Sequence, residues 1–332
     1  MTDPSKQHLD DLLNSGDLDG LLRLIDDTCD QAQWEVLESL AQRARTATER
    51  GHQLWPAADH AEHRLAKQGP AEFAARAVLR DQQRFGIASL AEVAASENFW
   101  TELDSHLPAG PVRALVAHEC IARGQDLTGV DLPGDPLGLT LTLASWEPAT
   151  EGPTIKAYDI DDPAPSFGAF ETVALPGSGT ASSDSATEAL RDLVRTWTDH
   201  SNGTSKAVAV AGTAAEALAA LDLDQVQLSW LTAAQAWRAM SWAAASGGAH
   251  GRRPGCARGR FDTWWCAAAL TGLNEDEDPW PPEPEELGTA LEELRWGTWK
   301  TAQQTAGWQL NLVIEDPSHG LAWALAAHDL RD

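Results

Sequence analysis

Four arginines, Arg252, Arg253, Arg258 and Arg260, crowd into residues 246–266, SGGAHGRRPGCARGRFDTWWC, in a chain whose formal net charge is −26. A guanidinium is a planar fork of donors that matches the oxygens of a carboxylate or phosphate, so this island of positive charge points to anion recognition. His250 lies inside the same stretch and could exchange a proton beside a bound anion. Trp264 and Trp265 follow it, and an indole face can stack on a ring or on a guanidinium. These seven residues form the candidate ligand-binding set. A competing use of the arginines is internal: residues 275–293 carry nine acidic side chains and no basic one, and charge clusters of this kind often serve structure.

Two local geometries fit the stretch. Gly247, Gly251, Gly255 and Gly259 recur every four residues, which on a helix lets a neighbouring backbone come close. Each glycine costs a helix about 1 kcal/mol relative to alanine, so packing must compensate. A helix from about Pro254 to Leu270 would stack Arg253 nearly over Arg260, because seven residues make close to two turns. Alternatively, a glycine-rich loop over 246–260 leads into a helix capped by Asp262, with loop amides and the helix N-terminus facing an anion.

Other residues that could carry chemistry lack the partners it needs. His60 and His63 stand three apart on one helix, yet a zinc site needs a third ligand, and the spacing of Asp59, Glu62, His118 and Glu119 supplies none. Ser178 in PGSGT has flanking glycines without the strand and helix of a nucleophile elbow. His200 precedes an SNG turn, and His319 and His328 have no evident partner. There is no Walker loop, dinucleotide fingerprint or zincin helix. No catalytic residue, metal ligand or cofactor is therefore assigned.

Bulk composition narrows the class. Hydrophobic content of 43% with 15 tryptophans in 332 residues supplies a core for one large or two smaller domains. The net charge repels nucleic acid and anionic membranes at long range. Cys29, Cys120, Cys256 and Cys266 form no C-x-x-C pair and read as free thiols in a reducing compartment. MTDPSKQHLDD lacks the basic and apolar regions of a signal peptide, and no run of eighteen apolar residues occurs. A cytoplasmic location is the expectation.

The elements that must position the arginines divide at Gly124. Residues 5–125 carry leucines at three- and four-residue spacing, Leu9, Leu12, Leu13, then Leu18, Leu21, Leu22, Ile25, and predict successive helices in a bundle or α-solenoid-like array. Further helices are expected to about Arg50 before Gly51, from Pro56 to Lys67, and over 71–84, 88–97 and 111–123. Beyond, Leu137, Leu139, Leu141 and Leu143 alternate with small residues as in a strand, with Thr154–Ile160 and Phe170–Leu175 as its partners. A linker at 176–185, a helix at 186–199, strands at 206–211 and Val226–Leu231, and helices at 213–221 and Thr232–Ala245 follow. Leu294–Lys300 and the alternating Trp308–Glu315 read as a hairpin with its loop at 301–307, and 318–330 as a terminal helix. The fold expected is α+β: an all-helical domain over 1–125 and a mixed α+β domain over 126–332.

Three segments, LWPAADHAEHRLA at 54–66, ASGGAHGRRPGCARGRFDTWWCAAALTGL at 245–273 and IEDPSHGLAWALAAHD at 314–329, together resemble an uncharacterised family of proteins of high-GC actinobacteria. That resemblance implies no activity and names no catalytic residue. The function expected is non-catalytic binding of an acidic partner segment or a small anionic, for example phosphorylated, ligand through the Arg/Gly-rich stretch. The alternatives are a hydrolase or transferase acting on a small anionic substrate, with the arginines as its clamp, and an acidic protein that neutralises a toxin or mimics a polyanion.

Overall fold

The structure, a computed structural model, describes residues 4–49, 53–81, 88–150, 152–155, 160–177, 180–274, 279–302 and 307–330. Gly51, residues 82–84, 156–159, Ser178, residues 275–278 of the acidic run and hairpin residues 303–306 lie outside them. The chain divides into two compact units. The first comprises Met1–Cys120 with Asp131–Pro136 and Pro153–Asp161, the second Ile121–Val130, Leu137–Gly152 and Asp162–Asp332.

The helical periodicity of the first half gives α1 (Pro4–Ser15), α2 (Leu18–Asp30), α3 (Trp34–Glu49), α4 (Trp55–Gln68), α5 (Ala71–Leu79), α6 (Leu90–Glu97), the single turn α7 (Trp100–Leu103) and α8 (Pro111–Ala122). Asp17 caps α2 by accepting the Gly20 N–H at 2.9 Å, and α2 buries Leu21 and Ile25 completely. Pro56 occupies the first turn of α4, where a missing N–H costs nothing. Arg45 on α3 reaches Asp59 (2.7 Å) and Glu62 (2.5 Å) on α4. Two-residue strands β1 (Thr154–Ile155) and β2 (Ile160–Asp161) pair antiparallel in this unit.

The second unit is built on a six-stranded antiparallel sheet. Its strands are β3 (Glu171–Ala174), β4 (Thr204–Ala211), β5 (Gln225–Leu231), β6 (Arg295–Lys300), β7 (Trp308–Asp316) and β8 (Leu321–Asp329), in the spatial order β3-β5-β6-β7-β8-β4. Its helices are α9 (Ser185–Asp192), α10 (Arg195–His200), α11 (Ala214–Ala219), α12 (Ala233–Ala245), α13 (Cys256–Thr271) and α14 (Pro284–Glu293). Together with the first unit this is an α+β architecture, helical in its first half and mixed in its second. The helix expected at 186–199 is broken at Leu193–Val194 into α9 and α10.

Two expectations are corrected. Residues 318–330, expected as a helix, form a turn followed by the strand β8 (Leu321–Asp329). Asp316 turns the chain by accepting from Ser318 N–H (2.9 Å) and His319 N–H (3.2 Å), and β8 then pairs with β7 on one side and β4 on the other. Ile314 lies opposite Trp323 and Leu312 opposite Leu325, while Val313 and Ala324 join the apolar cluster around α11. A central strand buried on both faces has no polar alternation, so LAWALAAHD reads equally well at helical spacing.

Residues 137–143, expected as a strand, form a bent loop with Gly138 in the left-handed region and belong to no strand. Their carbonyls serve side chains instead. Leu137 accepts from the Trp280 indole at 2.9 Å, and Thr140 and Thr142 accept from Arg260. Phe170–Leu175 contributes β3, which pairs with β5 rather than with that segment. Among the described residues no helix is long and apolar enough to cross a membrane.

Candidate functional site

Residues 246–255 are a loop and α13 begins at Cys256, near the helix start expected at Pro254; Asp262, expected as a cap in the alternative geometry, lies inside the helix. The loop is pinned from outside: Ala249 N–H donates to the buried Asp329 carboxylate at 2.6 Å, and His250 N–H donates to Ser201 Oγ at 3.0 Å. Helix α13 is buried nearly all round. At Gly259 it lies so close to α12 that a Cβ would stand 2.7 Å from the Ser241 carbonyl oxygen and 2.8 Å from Ala245 Cβ. Gly259 makes the close approach expected of a helical glycine, whereas Gly247, Gly251 and Gly255 precede the helix.

Arg260, 4% exposed, donates through all three of its nitrogens. Its Nε donates to Glu147 Oε1 and its Nη2 to Glu147 Oε2, both at 2.9 Å. The same fork donates to Thr140 O (2.9 Å), Thr140 Oγ1 (2.8 Å) and Thr142 O (3.0 Å). One turn further along α13, the Trp264 indole N–H donates to Glu147 Oε1 at 2.6 Å, and Ala144 N–H donates to Oε2 at 2.8 Å. A buried carboxylate held by four donors and a buried guanidinium holding one carboxylate and three neutral oxygens satisfy each other's desolvation.

Arg253, 3% exposed, pairs with Asp162, and its Nη2 lies 3.5 Å from Cys256 Sγ. Asp162 is held from a second side by the Trp242 indole N–H, which donates to its carbonyl at 3.1 Å. Arg258, on the exposed side of α13, chelates Asp262 one turn on, at 2.9 Å to each oxygen, and covers the Phe261 ring. Burial raises the Asp262 pKa above its ordinary value, with Arg258 opposing the shift. Arg252 is half-buried and also partnered. The His250 side chain is exposed. Trp264 packs in an indole cluster with Trp146 (5.5 Å) and Trp237 (6.3 Å), whereas Trp265 is 39% exposed beside Trp280. Elsewhere, His60 approaches Asp26 (3.9 Å) and His118 meets Asp135 (2.8 Å), so these histidines turn to different acids.

Beside the buried arginines, within the second unit, lies a hollow of about 340 Å³. Arg253 and Arg260 line it, as do their partners Asp162 and Glu147. Cys256, at the start of α13, is also part of the wall. The opposite wall is α12, which presents Trp237, Ser241 and Ala245 at four-residue spacing and Arg238 with Trp242 at the same spacing one residue on. Arg238 is exposed, and among the described residues no acid pairs with it. Sequence reasoning passed over Arg238, Glu147 and Asp162. The stripe on α12 was the available signal for the first. Nothing in the local sequence marks Glu147 or Asp162, which lie 113 and 91 residues from the arginines they meet.

No curated protein and no solved structure matches the chain. Residues 19–331 match the model of a family of unknown function, DUF6183, and the chain belongs to that family.

Proposed function

We propose that this protein binds a small anionic ligand in the hollow between α12, the start of α13 and residues 143–150. The observation that carries this reading is the charge balance of the walls. Arg253 with Asp162 and Arg260 with Glu147 are two ion pairs, so Arg238 leaves the lining with one surplus positive charge at its exposed side. At about 340 Å³ the hollow is near the small end of ligand sites, which run from roughly 300 to 1,000 Å³. Arg253 and Arg260 shape the floor, Trp237 and Trp242 supply flat walls, and Arg238 receives the anion. Arg252, Arg258, His250 and Trp265 are placed by this reading at the periphery, and Trp264 supports Glu147 from behind. The four buried free thiols support a reducing, cytoplasmic setting.

A thermal-shift screen of carboxylates, sugar phosphates and nucleotides against the wild type and Arg238→Gln tests the proposal. A ligand present at a hundred times its Kd stabilises the folded state by about 2.7 kcal/mol, which is a rise of several degrees for a chain of this size. At least one anion is expected to give that rise in the wild type and little of it in Arg238→Gln. The reading is lost when no anion stabilises the wild type, or when the variant responds equally.

A further inference from the structure

We infer that the ligand of this hollow is a monocarboxylate with a flat apolar body, such as an arylacetate, rather than a phosphorylated metabolite. This rests on the proposed anion site and sharpens it. The charge balance sets the first limit. Arg238 offers one positive charge, and the two carboxylates that share the lining, Glu147 and Asp162, are already matched by Arg260 and Arg253. A phosphate monoester carries between 1.5 and 2 negative charges near neutral pH (roughly). Its second charge would face Glu147 and Asp162, and among the described lining residues Arg238 is the one cation outside the two ion pairs. Uncompensated charge beside the buried Glu147 carboxylate and the partly buried Asp162 is disfavoured.

The donors set the second limit. Arg260 gives its Nε and both terminal nitrogens to Glu147, Thr140 and Thr142. The Trp242 indole N–H is committed to the Asp162 carbonyl, and the Ser241 hydroxyl donates to Thr263 Oγ1 at 3.2 Å. A polar body, such as a sugar with several hydroxyls, would leave those groups without partners, each a substantial desolvation cost. The apolar part of the lining comes from Leu143, Pro148, Pro163, Trp237 and Trp242. Trp237 is fixed by an edge-on contact with Trp146, centroids 4.8 Å apart, so the part of its ring that lines the hollow is rigid. The single fork of Arg238 suits the two oxygens of one carboxylate.

The test is isothermal titration of the full chain at neutral pH with phenylacetate, phenyl phosphate and acetate, on the wild type, Arg238→Gln and Arg238→Lys. Phenylacetate is expected to bind about tenfold or more tighter than either other probe, since losing one charge-assisted contact or one buried ring costs at least that factor. Arg238→Gln is expected to weaken it by a similar factor, with Arg238→Lys intermediate because it keeps the charge and loses the fork. Phenyl phosphate binding as tightly as phenylacetate, and in an Arg238-dependent way, overturns the monocarboxylate assignment while leaving the anion site standing. Acetate equal to phenylacetate overturns the apolar body. Heats indifferent to Arg238→Gln, or absent for every probe, take down both this inference and the site beneath it.

Discussion

Glu147 and Arg260 are 113 residues apart in the chain and meet fork to fork, with two parallel N–H···O bonds of 2.9 Å in a place where neither is more than 6% exposed. The pair fixes the loop 140–147 against α13, because the same guanidinium also holds the carbonyls of Thr140 and Thr142. Removing one partner leaves the other charge buried and alone, which costs about 3–5 kcal/mol. Arg260→Met and Glu147→Gln are each expected to lose that much stability in urea denaturation. The double variant should lose less than the two singles summed, because neither charge is then orphaned. Simple additivity in the cycle would mean that the two side chains do not act as a unit.

The arginine stretch announced itself by composition, and its helix begins two residues from the expected Pro254. Strand β7 and helix α12 were readable because apolar and polar residues contrast there at the element's period, whereas β4, buried along four consecutive residues, was readable as a short apolar run. What failed were the places where that contrast vanishes. β8 is covered on both faces, so Leu321, Trp323 and Leu325 sit among alanines with no polar partner to mark the two-residue period. Leu137–Leu143 has strand-like alternation, but its carbonyls are claimed by Arg260 and Trp280, long-range donors that no local window contains. The partners of the arginines were sought in the acidic run nearby. Glu147 and Asp162 instead come from distant loops, because a buried guanidinium needs a carboxylate held at fixed geometry more than it needs one close in sequence.

Gly259 separates packing from propensity. In an exposed helix, glycine to alanine gains about 1 kcal/mol. Here the added methyl would stand 2.7 Å from a backbone oxygen of α12 and 2.8 Å from Ala245 Cβ, and neither can swing aside. Gly259→Ala is therefore expected to destabilise, by about 1–3 kcal/mol as overpacked sites do, and Gly259→Val by more. A stabilised Gly259→Ala protein in chemical denaturation would contradict the close approach of the two helices.

Gly320 closes the β7–β8 hairpin with φ of +64°, and a Cβ there would meet nothing within 4 Å. Space is thus no obstacle, and only backbone conformation is at stake. Gly320→Ala should cost about 1–2 kcal/mol, the left-handed penalty for an L-residue. Gly320→Asn should cost less, since asparagine tolerates that region. Equal effects of the two replacements would show that contacts, not the dihedral, decide this turn.

His63 should give the first unit an acid-sensitive stability. It is 7% exposed on α4, and its pKa is lowered to about 4, first by burial and then by the neighbouring charges of Lys67, His60 and Arg64. The folded protein thus refuses a proton that the unfolded chain accepts near the ordinary histidine value of about 6.5. Its contribution is whole above that value, falls as pH drops from about 6.5 toward 4, and is spent below. The span of that loss is about 3 kcal/mol at 1.36 kcal/mol per unit. His63→Leu removes the titrating group, so its Tm should decline less than the wild type's between pH 7 and pH 4.5, although carboxylates titrate in both. A Tm difference between the two proteins that stays constant across this range would show that His63 keeps its proton equilibrium on folding, and would place the acid sensitivity elsewhere.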